Sequence, residues 1–153
     1  MNKKIYILTG PIQTGKTTRL FEFIKTKNNV DGILAPVVND KRVLFHISSN
    51  TLKSLEVDTP DNSTITVGKY HFLKSTFDWA NKKLIESFNA KPEWLIIDEV
   101  GKLELKQKGL HPAISSILNF KSNLKTKIIL VIRDSLLDEV VKIYNIKYEI
   151  INI

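Results

Sequence analysis

The chain alternates between two patterns of apolar residues. Some segments are short apolar-rich runs, the pattern of strands buried on both faces of a sheet. These runs lie within residues 5–9, 93–99, 127–134 and 148–153. Elsewhere apolar residues recur at spacings of three and four, which predicts helices with one buried face. These segments are residues 17–27, 73–88, 112–118 and 135–145. The alternation predicts an α/β fold in three layers, with a mostly parallel central sheet and helices on both faces.

Three further local signals refine this outline. The runs at residues 32–38 and 42–47 are separated by a turn-forming Asn-Asp-Lys, which predicts a β-hairpin. Pro36 indicates an edge position for the first of these strands, because proline donates no hydrogen bond to a neighbouring strand. Residues 57–64 predict the one long loop, and Ser135 is the expected N-cap of the last helix.

Composition limits the kind of protein this is. With 153 residues, of which 42% are hydrophobic, residues 1–153 are expected to form one domain around one core. The absence of cysteine excludes disulfides, zinc–thiolate sites and thiol nucleophiles. The longest uninterrupted apolar stretch, residues 128–132, is far shorter than the ~20 residues of a membrane span. We therefore expect a cytoplasmic monomer without membrane association, and leave a protein partner open.

The net charge of +7 raises the question of nucleic-acid binding. However, lysines are spread along the whole chain, only three arginines occur, and no basic run is interleaved with aromatic residues. This distribution favours a solvated lysine-rich surface over a specific nucleic-acid site.

Residues 10–17, Gly-Pro-Ile-Gln-Thr-Gly-Lys-Thr, fit the phosphate-loop pattern G-x-x-x-x-G-K-[ST] without a mismatch. They also follow a predicted strand and open a predicted helix, as the pattern requires. Backbone N–H groups of such a loop surround anionic oxygens, and the helix N-terminus adds partial positive charge. In this pattern Lys16 reaches the β- and γ-phosphates of a nucleoside triphosphate, and the Thr17 hydroxyl binds Mg²⁺. The predicted nucleotide-binding residues are Gly10, Pro11, Ile12, Gln13, Thr14, Gly15, Lys16, Thr17 and Thr18.

Two acidic residues end the second buried run. Asp98 is the expected second ligand of Mg²⁺, held directly or through water. Glu99 stands where a base could orient an attacking water, which favours hydrolysis over transfer to another alcohol. The alternative for this pair is two solvated acids that open a loop. Glu104 is either a second water-positioning acid or part of a surface loop.

Arg133 ends the third buried run. If that strand lies beside the phosphate-loop strand, its guanidinium could stabilise the γ-phosphate as an arginine finger in cis. An ion pair with Asp134 or Asp138 is the alternative. The three histidines are isolated in sequence and receive no metal or catalytic role.

Five segments together resemble the small P-loop nucleoside-triphosphatase family that includes the cancer-related nucleoside-triphosphatase. These segments are LTGPIQTGKTT, LIIDEVGKLEL, DGILAPVV, VGKY and VIRD. The most specific part is DEVGKLEL at residues 98–105. The resemblance implies a P-loop NTPase fold and Mg²⁺-dependent hydrolysis of ATP, GTP and other nucleoside triphosphates with little base selectivity. It assigns the phosphate, magnesium and water roles to Lys16, Thr17, Asp98 and Glu99, and some relatives carry a basic residue at the position of Arg133.

The sequence departs from the family pattern at two points. Residues 11–13 stand where relatives often have another glycine, which is expected to alter nucleotide affinity. The chain also stops at residue 153, where relatives often continue into a helical segment that could supply base contacts or a partner surface.

Two alternatives to hydrolysis stay open. A small-molecule or nucleotide kinase shares the loop, but nucleotide kinases use several arginines to clamp phosphates, and three are present. A nucleotide-binding switch or accessory protein with slow hydrolysis would carry the same residues.

Overall fold

The computed structural model describes residues 3–11, 15–122 and 125–153. The strands are β1 (Lys4–Gly10), β2 (Val30–Leu34), β3 (Val37–Val38), β4 (Lys41–His46), β5 (Thr51–Ser54), β6 (Glu56–Val57), β7 (Thr64–Val67), β8 (Tyr70–Leu73), β9 (Trp94–Ile97), β10 (Lys127–Arg133) and β11 (Glu149–Ile150). The helices are α1 (Lys16–Lys25), α2 (Lys74–Asn89), α3 (Lys102–Leu105), α4 (His111–Asn119) and α5 (Leu137–Tyr144). Within these described ranges no helix is long and apolar enough to cross a membrane.

The main sheet has a parallel part and an antiparallel part. Its order is β11-β1-β10-β9-β2-β4-β3, with β5 on the remaining side of β4. The five strands from β11 to β2 pair in parallel, whereas β4 pairs antiparallel with β2, β3 and β5. The carboxyl ends of β1, β9 and β10 therefore lie at one edge of the sheet, where ligands of such sheets bind.

Both faces of the parallel part are covered, which is why its strands are continuously apolar. In β9, Leu95 and Ile97 pack with α2, α4 and α5, whereas Ile96 points to the opposite side and packs with Leu20 of α1. Successive side chains of a strand point to opposite faces, so a strand between two helical layers has no polar face. The predicted α/β class with helices on both faces is confirmed.

The predicted hairpin is confirmed as β3 and β4, joined at Asn39 and Asp40. Both turn residues have positive φ, of 50° and 63°, as two-residue hairpin turns require. Pro36 precedes β3, an edge strand whose one described partner is β4.

Two local expectations are corrected. Ser135 is not the N-cap of the last helix, because residues 134–136 form a 3-10 turn and the cap position falls on Leu136. The expected loop at 57–64 is shorter, since Val57 ends β6 and Thr64 begins β7. These strands belong to a small antiparallel sheet, ordered β6-β8-β7, that the sequence interpretation missed. Gly68, with φ of 57°, lies in the turn between β7 and β8.

Candidate active site

The predicted site residues meet at the carboxyl edge of the parallel strands. Gly10, the last residue of β1, pairs in register with Arg133, the last residue of β10. Thr17, at the start of α1, contacts Asp98, which directly follows β9. The parallel pairing of β1, β10 and β9 thus brings together residues that are more than 80 positions apart in the chain.

The phosphate-loop segment leads from β1 into α1. Gly15 occupies the N-cap of α1 with φ of 77°, a backbone conformation that favours glycine. The Lys16 ammonium folds back over the loop and donates to the carbonyl oxygens of Gly10 and Pro11, at 3.2 and 2.7 Å. Partial burial lowers the pKa of Lys16, against the effect of the nearby carboxylates. The predicted contacts of residues 12–14 lie outside the described residues.

Asp98 is a buried carboxylate with one occupied and one unpaired oxygen. Its Oδ2 accepts from the Thr17 hydroxyl at 2.8 Å and from the Ala35 N–H at 2.9 Å. Its side chain is almost fully buried, and within the described part of the chain Oδ1 has no hydrogen-bond partner. Burial raises the pKa of Asp98, and the two hydrogen bonds oppose this rise. An unpaired buried carboxylate oxygen is costly unless a cation or water satisfies it.

These groups fit a magnesium ion. Mg²⁺ prefers hard oxygen ligands and is often held by one or two protein oxygens, with phosphate and water completing its shell. The Asp98 carboxylate and Thr17 hydroxyl are such oxygens, and they already lie in contact. The Asp98 Oδ1 atom, which has no hydrogen-bond partner in the described part of the chain, is the oxygen available to such an ion.

Glu99 lies beside this pair in a strained backbone conformation. Its φ is 61°, which is uncommon for a residue other than glycine and found often at functional sites. The side chain is 44% exposed, and its Oε1 lies 3.1 Å from Nη2 of Arg42. Burial raises the pKa of Glu99, whereas the positive charge of Arg42 lowers it. Glu99 is therefore a carboxylate at the mouth of the site, held from one side by a guanidinium.

Glu104 has a different environment. It is 3% exposed, which contradicts the surface-loop alternative. Its two oxygens accept from the backbone N–H groups of Gly101 and Leu110, at 2.7 and 2.8 Å. Burial raises the pKa of Glu104 to about 7. A carboxylate whose two oxygens bind backbone is placed to fix the loop at 101–110, and this geometry does not favour water positioning.

Arg133 is the cation at the end of β10. The alternative ion pairs with Asp134 and Asp138 do not form, and among the described residues Arg133 makes no ion pair. Its charge acts on both Lys16 and Glu99, in each case as a smaller contribution than burial. Arg133 therefore lies within electrostatic range of Lys16 and Glu99.

Comparison with known proteins connects this geometry to a family. The model of the family described as NTPase matches residues 5–153. The nucleoside-triphosphatase THEP1 of Sulfolobus acidocaldarius is 36% identical over 126 residues, which cover 75% of this chain and 70% of that protein. The THEP1 of Saccharolobus solfataricus is 32% identical over 120 residues, 73% of this chain and 68% of that protein. The chain belongs to the NTPase family.

Membership in the NTPase family confirms the resemblance and the predicted enzyme class, a nucleoside-triphosphatase. The crystal structure of THEP1 from the hyperthermophile Aquifex aeolicus aligns with a TM-score of 0.76 at 19% identity. The alignment covers 97% of this chain and 88% of that chain. It confirms the predicted P-loop NTPase fold.

Arg42 is a residue of this candidate site that the sequence interpretation missed. It lies on β4, outside the quoted motifs, and reaches Glu99 only because the β3–β4 hairpin folds over the end of β2. The hairpin had been predicted, and it returns Arg42 to the level of Ala35, whose carbonyl accepts from Arg42 Nη1 at 2.6 Å. The available signal was that the predicted hairpin carries Arg42, one of only three arginines in the chain.

Proposed function

We propose that this NTPase is a Mg²⁺-dependent enzyme that hydrolyses ATP, GTP and other nucleoside triphosphates to diphosphate and phosphate with low base selectivity. The observation that carries the proposal is the contact between Thr17 and Asp98 at 2.8 Å, beside a buried Asp98 oxygen without a partner in the described chain. This contact connects the first turn of α1 to the acidic residues that follow β9.

The phosphate chain is bound by the loop at residues 10–18. Lys16 leaves the carbonyls of Gly10 and Pro11 and donates to the β- and γ-phosphate oxygens. Thr17 and Asp98 would hold Mg²⁺, which would supply positive charge to stabilise the phosphate oxygens. The positive charge of Mg²⁺ would favour the ionised form of Asp98, against the effect of burial on its pKa.

Hydrolysis needs a water aligned with the γ-phosphorus. Glu99 accepts a hydrogen bond from that water and orients it, because its carboxylate is partly exposed at the mouth of the site. Arg133 donates to the γ-phosphoryl oxygens as their charge develops, since its guanidinium is not engaged by the neighbouring aspartates. Glu104 acts on this site only through the loop that it holds.

Low base selectivity follows from where these contacts fall. Each of the residues assigned here engages phosphate, Mg²⁺ or water, and none of them engages the base. Discrimination between bases requires buried polar groups that pair with base edges. A preference above about a hundredfold between nucleoside triphosphates, equivalent to ~2.7 kcal/mol, would show a base-reading pocket and contradict this part of the proposal.

The test is a product assay with ATP, GTP, CTP and UTP, in Mg²⁺ and in EDTA, with and without nucleoside monophosphate and alcohol acceptors. We expect diphosphate and inorganic phosphate from all four, only with Mg²⁺, and no phosphorylated acceptor. Asp98→Asn should raise the Mg²⁺ concentration needed for the half-maximal rate, whereas Asp138→Asn, an exposed site on α5, is the matched control. Phosphate on an acceptor would establish the kinase alternative instead.

A further inference from the structure

Arg42 connects the two acidic residues of the site through a single peptide segment. Its Nη2 lies 3.1 Å from the Glu99 carboxylate, and its Nη1 donates to the Ala35 carbonyl at 2.6 Å. The Ala35 N–H in turn donates to Asp98 Oδ2 at 2.9 Å. These contacts fix the position of the Glu99 carboxylate relative to Asp98, although no hydrogen bond joins the two side chains directly.

The backbone of Arg42 is held in place by contacts with neighbouring strands and with Glu56. Arg42 pairs with Val37 on β3, and its carbonyl accepts from the Leu55 N–H at 3.2 Å. Its own N–H donates to Oε1 of Glu56 at 3.2 Å. A guanidinium with two defined acceptors, on a strand paired on both sides, is held in one orientation.

Glu99, by contrast, has a fixed backbone and a side chain with more freedom. The neighbouring Asp98 N–H donates to Ile33 and the Val100 N–H donates to Val131, at 3.0 and 2.9 Å, so the strained backbone between them is pinned on both sides. The side chain beyond it is long and nearly half exposed. Such a carboxylate samples several rotamers unless a partner holds it.

The charges that face Glu99 come from five segments of the chain. Arg42 on β4, Arg133 at the end of β10 and Lys16 at the start of α1 are the cations. Asp98, just after β9, and Glu104 on α3 are the anions. Of the three cations only Arg42 is in ion-pair contact with Glu99. Lys16 is directed to the loop carbonyls, so the orienting contact is assigned to Arg42 alone.

We propose that Arg42 is a positioning residue for hydrolysis, which acts by holding the Glu99 carboxylate in its productive orientation and not by contacting the phosphates. This inference rests on the proposed role of Glu99 in orienting water. It separates the two site arginines: Arg42 acts through Glu99, and Arg133 acts on the phosphate.

The experiment is a double-mutant cycle of Arg42→Gln and Glu99→Gln, read by single-turnover ATP hydrolysis and by ATP affinity. Arg42→Gln should lower the single-turnover rate by about 10- to 100-fold, the scale of a small misplacement of a catalytic group. ATP affinity should change by less than about threefold. In the Glu99→Gln background the same substitution should cost less than about twofold, because the carboxylate that Arg42 positions is already absent.

Two further variants keep the test independent of folding. Arg42→Lys retains a cation but cannot serve Glu99 and Ala35 together, so its rate should lie between those of the parent and Arg42→Gln. Lys41→Gln is the matched control, because Lys41 is the adjacent cation on β4 but pairs with Glu56 and Asp58. It should hydrolyse ATP like the parent.

Four outcomes would overturn the inference. A parent-like rate for Arg42→Gln would remove any role in hydrolysis. Equal losses with and without Glu99→Gln would show that Arg42 acts independently of Glu99. A fall in ATP affinity as large as the fall in rate would show that Arg42 acts on nucleotide binding. A parent-like Glu99→Gln would contradict the proposed role of Glu99 and with it this inference. The single Glu99 variant therefore identifies which of the two proposals has failed.

Discussion

Two acidic residues of one continuous motif, Glu99 and Glu104, lie in opposite environments. Glu99 is half exposed beside Asp98, with its carboxylate on a guanidinium. Glu104 is buried, with both oxygens on backbone N–H groups. Their sequence context suggested similar chemistry, so the difference lies in what each carboxylate contacts. One carboxylate is available to a substrate, whereas the other is used to hold a loop.

The variant with the largest expected effect tests whether the active site lies at the edge of the sheet that carries Glu99. Lys16→Ala should abolish ATP binding or turnover with the fold intact, because Lys16 is the cation that the motif places on the β- and γ-phosphates. Calorimetric binding and phosphate release are the measurements, with circular dichroism as the fold control. Lys25→Ala, an exposed lysine at the other end of α1, is the matched variant. If a folded Lys16→Ala protein hydrolysed ATP like the parent, the active site would not lie at this edge of the sheet.

The next effect separates the two glutamates directly. Glu99→Gln keeps shape and hydrogen-bonding reach but removes the charge, so turnover should fall by roughly 10²–10⁴ while ATP still binds with Mg²⁺. Single-turnover hydrolysis and ATP affinity give the two readouts. Glu104→Gln, measured per folded molecule at the same pH, should keep turnover within about tenfold of the parent, since its effect reaches the site only through the loop. If Glu104→Gln loses as much turnover as Glu99→Gln, the proposed difference in role between the two glutamates is wrong.

Arg133 extends the comparison to the cations. If its guanidinium stabilises charge on the γ-phosphoryl oxygens, Arg133→Ala should lower turnover by up to about 10³ and weaken ATP binding much less. The same single-turnover and affinity measurements apply. A structural arginine would instead lower the melting temperature and leave turnover per folded molecule at the parent value.

How far the sequence predicts this site depends on whether the signal is local. The placement of Gly10, Asp98 and Glu99 at one edge of the sheet was predictable, because each ends or follows a buried apolar strand and parallel strands align their carboxyl ends. Arg42 was not, because its contact with Glu99 depends on the path of an antiparallel hairpin across the end of β2. The burial of Glu104 was not predictable either, since its donors, Gly101 and Leu110, follow from the turn of the loop.

The strands of the small sheet were missed for a related reason. β6 and β7 have two and four residues, too few to show a clear alternation of apolar and polar positions. Their pairing with β8 is a tertiary feature. Short strands of this kind are defined by their partners more than by their own sequence.

A smaller effect concerns the loop that Glu104 holds. Gly109 has φ of 63°, and a Cβ atom there would lie 2.1 Å from Glu104 Oε2. Gly109→Ala should therefore destabilise the protein by about 1–3 kcal/mol through overpacking and backbone strain, with the hydrolysis rate per folded molecule close to the parent. Urea unfolding gives the measurement. Gly68→Ala is the control, because its φ is also positive but a Cβ there meets no atom within 4 Å. Equal losses for the two variants would mean that the contact with Glu104 adds nothing.

A further effect on stability is a pH dependence that belongs to Glu104. Burial raises its pKa from 4.5 to about 7, so the folded state binds this proton more tightly than the unfolded state. Between these two values the unfolded chain carries fewer protons, and the free energy of unfolding should fall as pH rises, by up to about 3 kcal/mol, with no further change from this group above the window. Glu104→Gln does not titrate there, so its stability should fall less than that of the parent between pH 5 and 8. Urea unfolding at both pH values measures the difference, with Glu22→Gln, an exposed glutamate of α1, as the control. If the parent and Glu104→Gln show the same pH dependence, the buried carboxyl is ionised throughout, and the loop is held by a charge that its two N–H donors fully compensate.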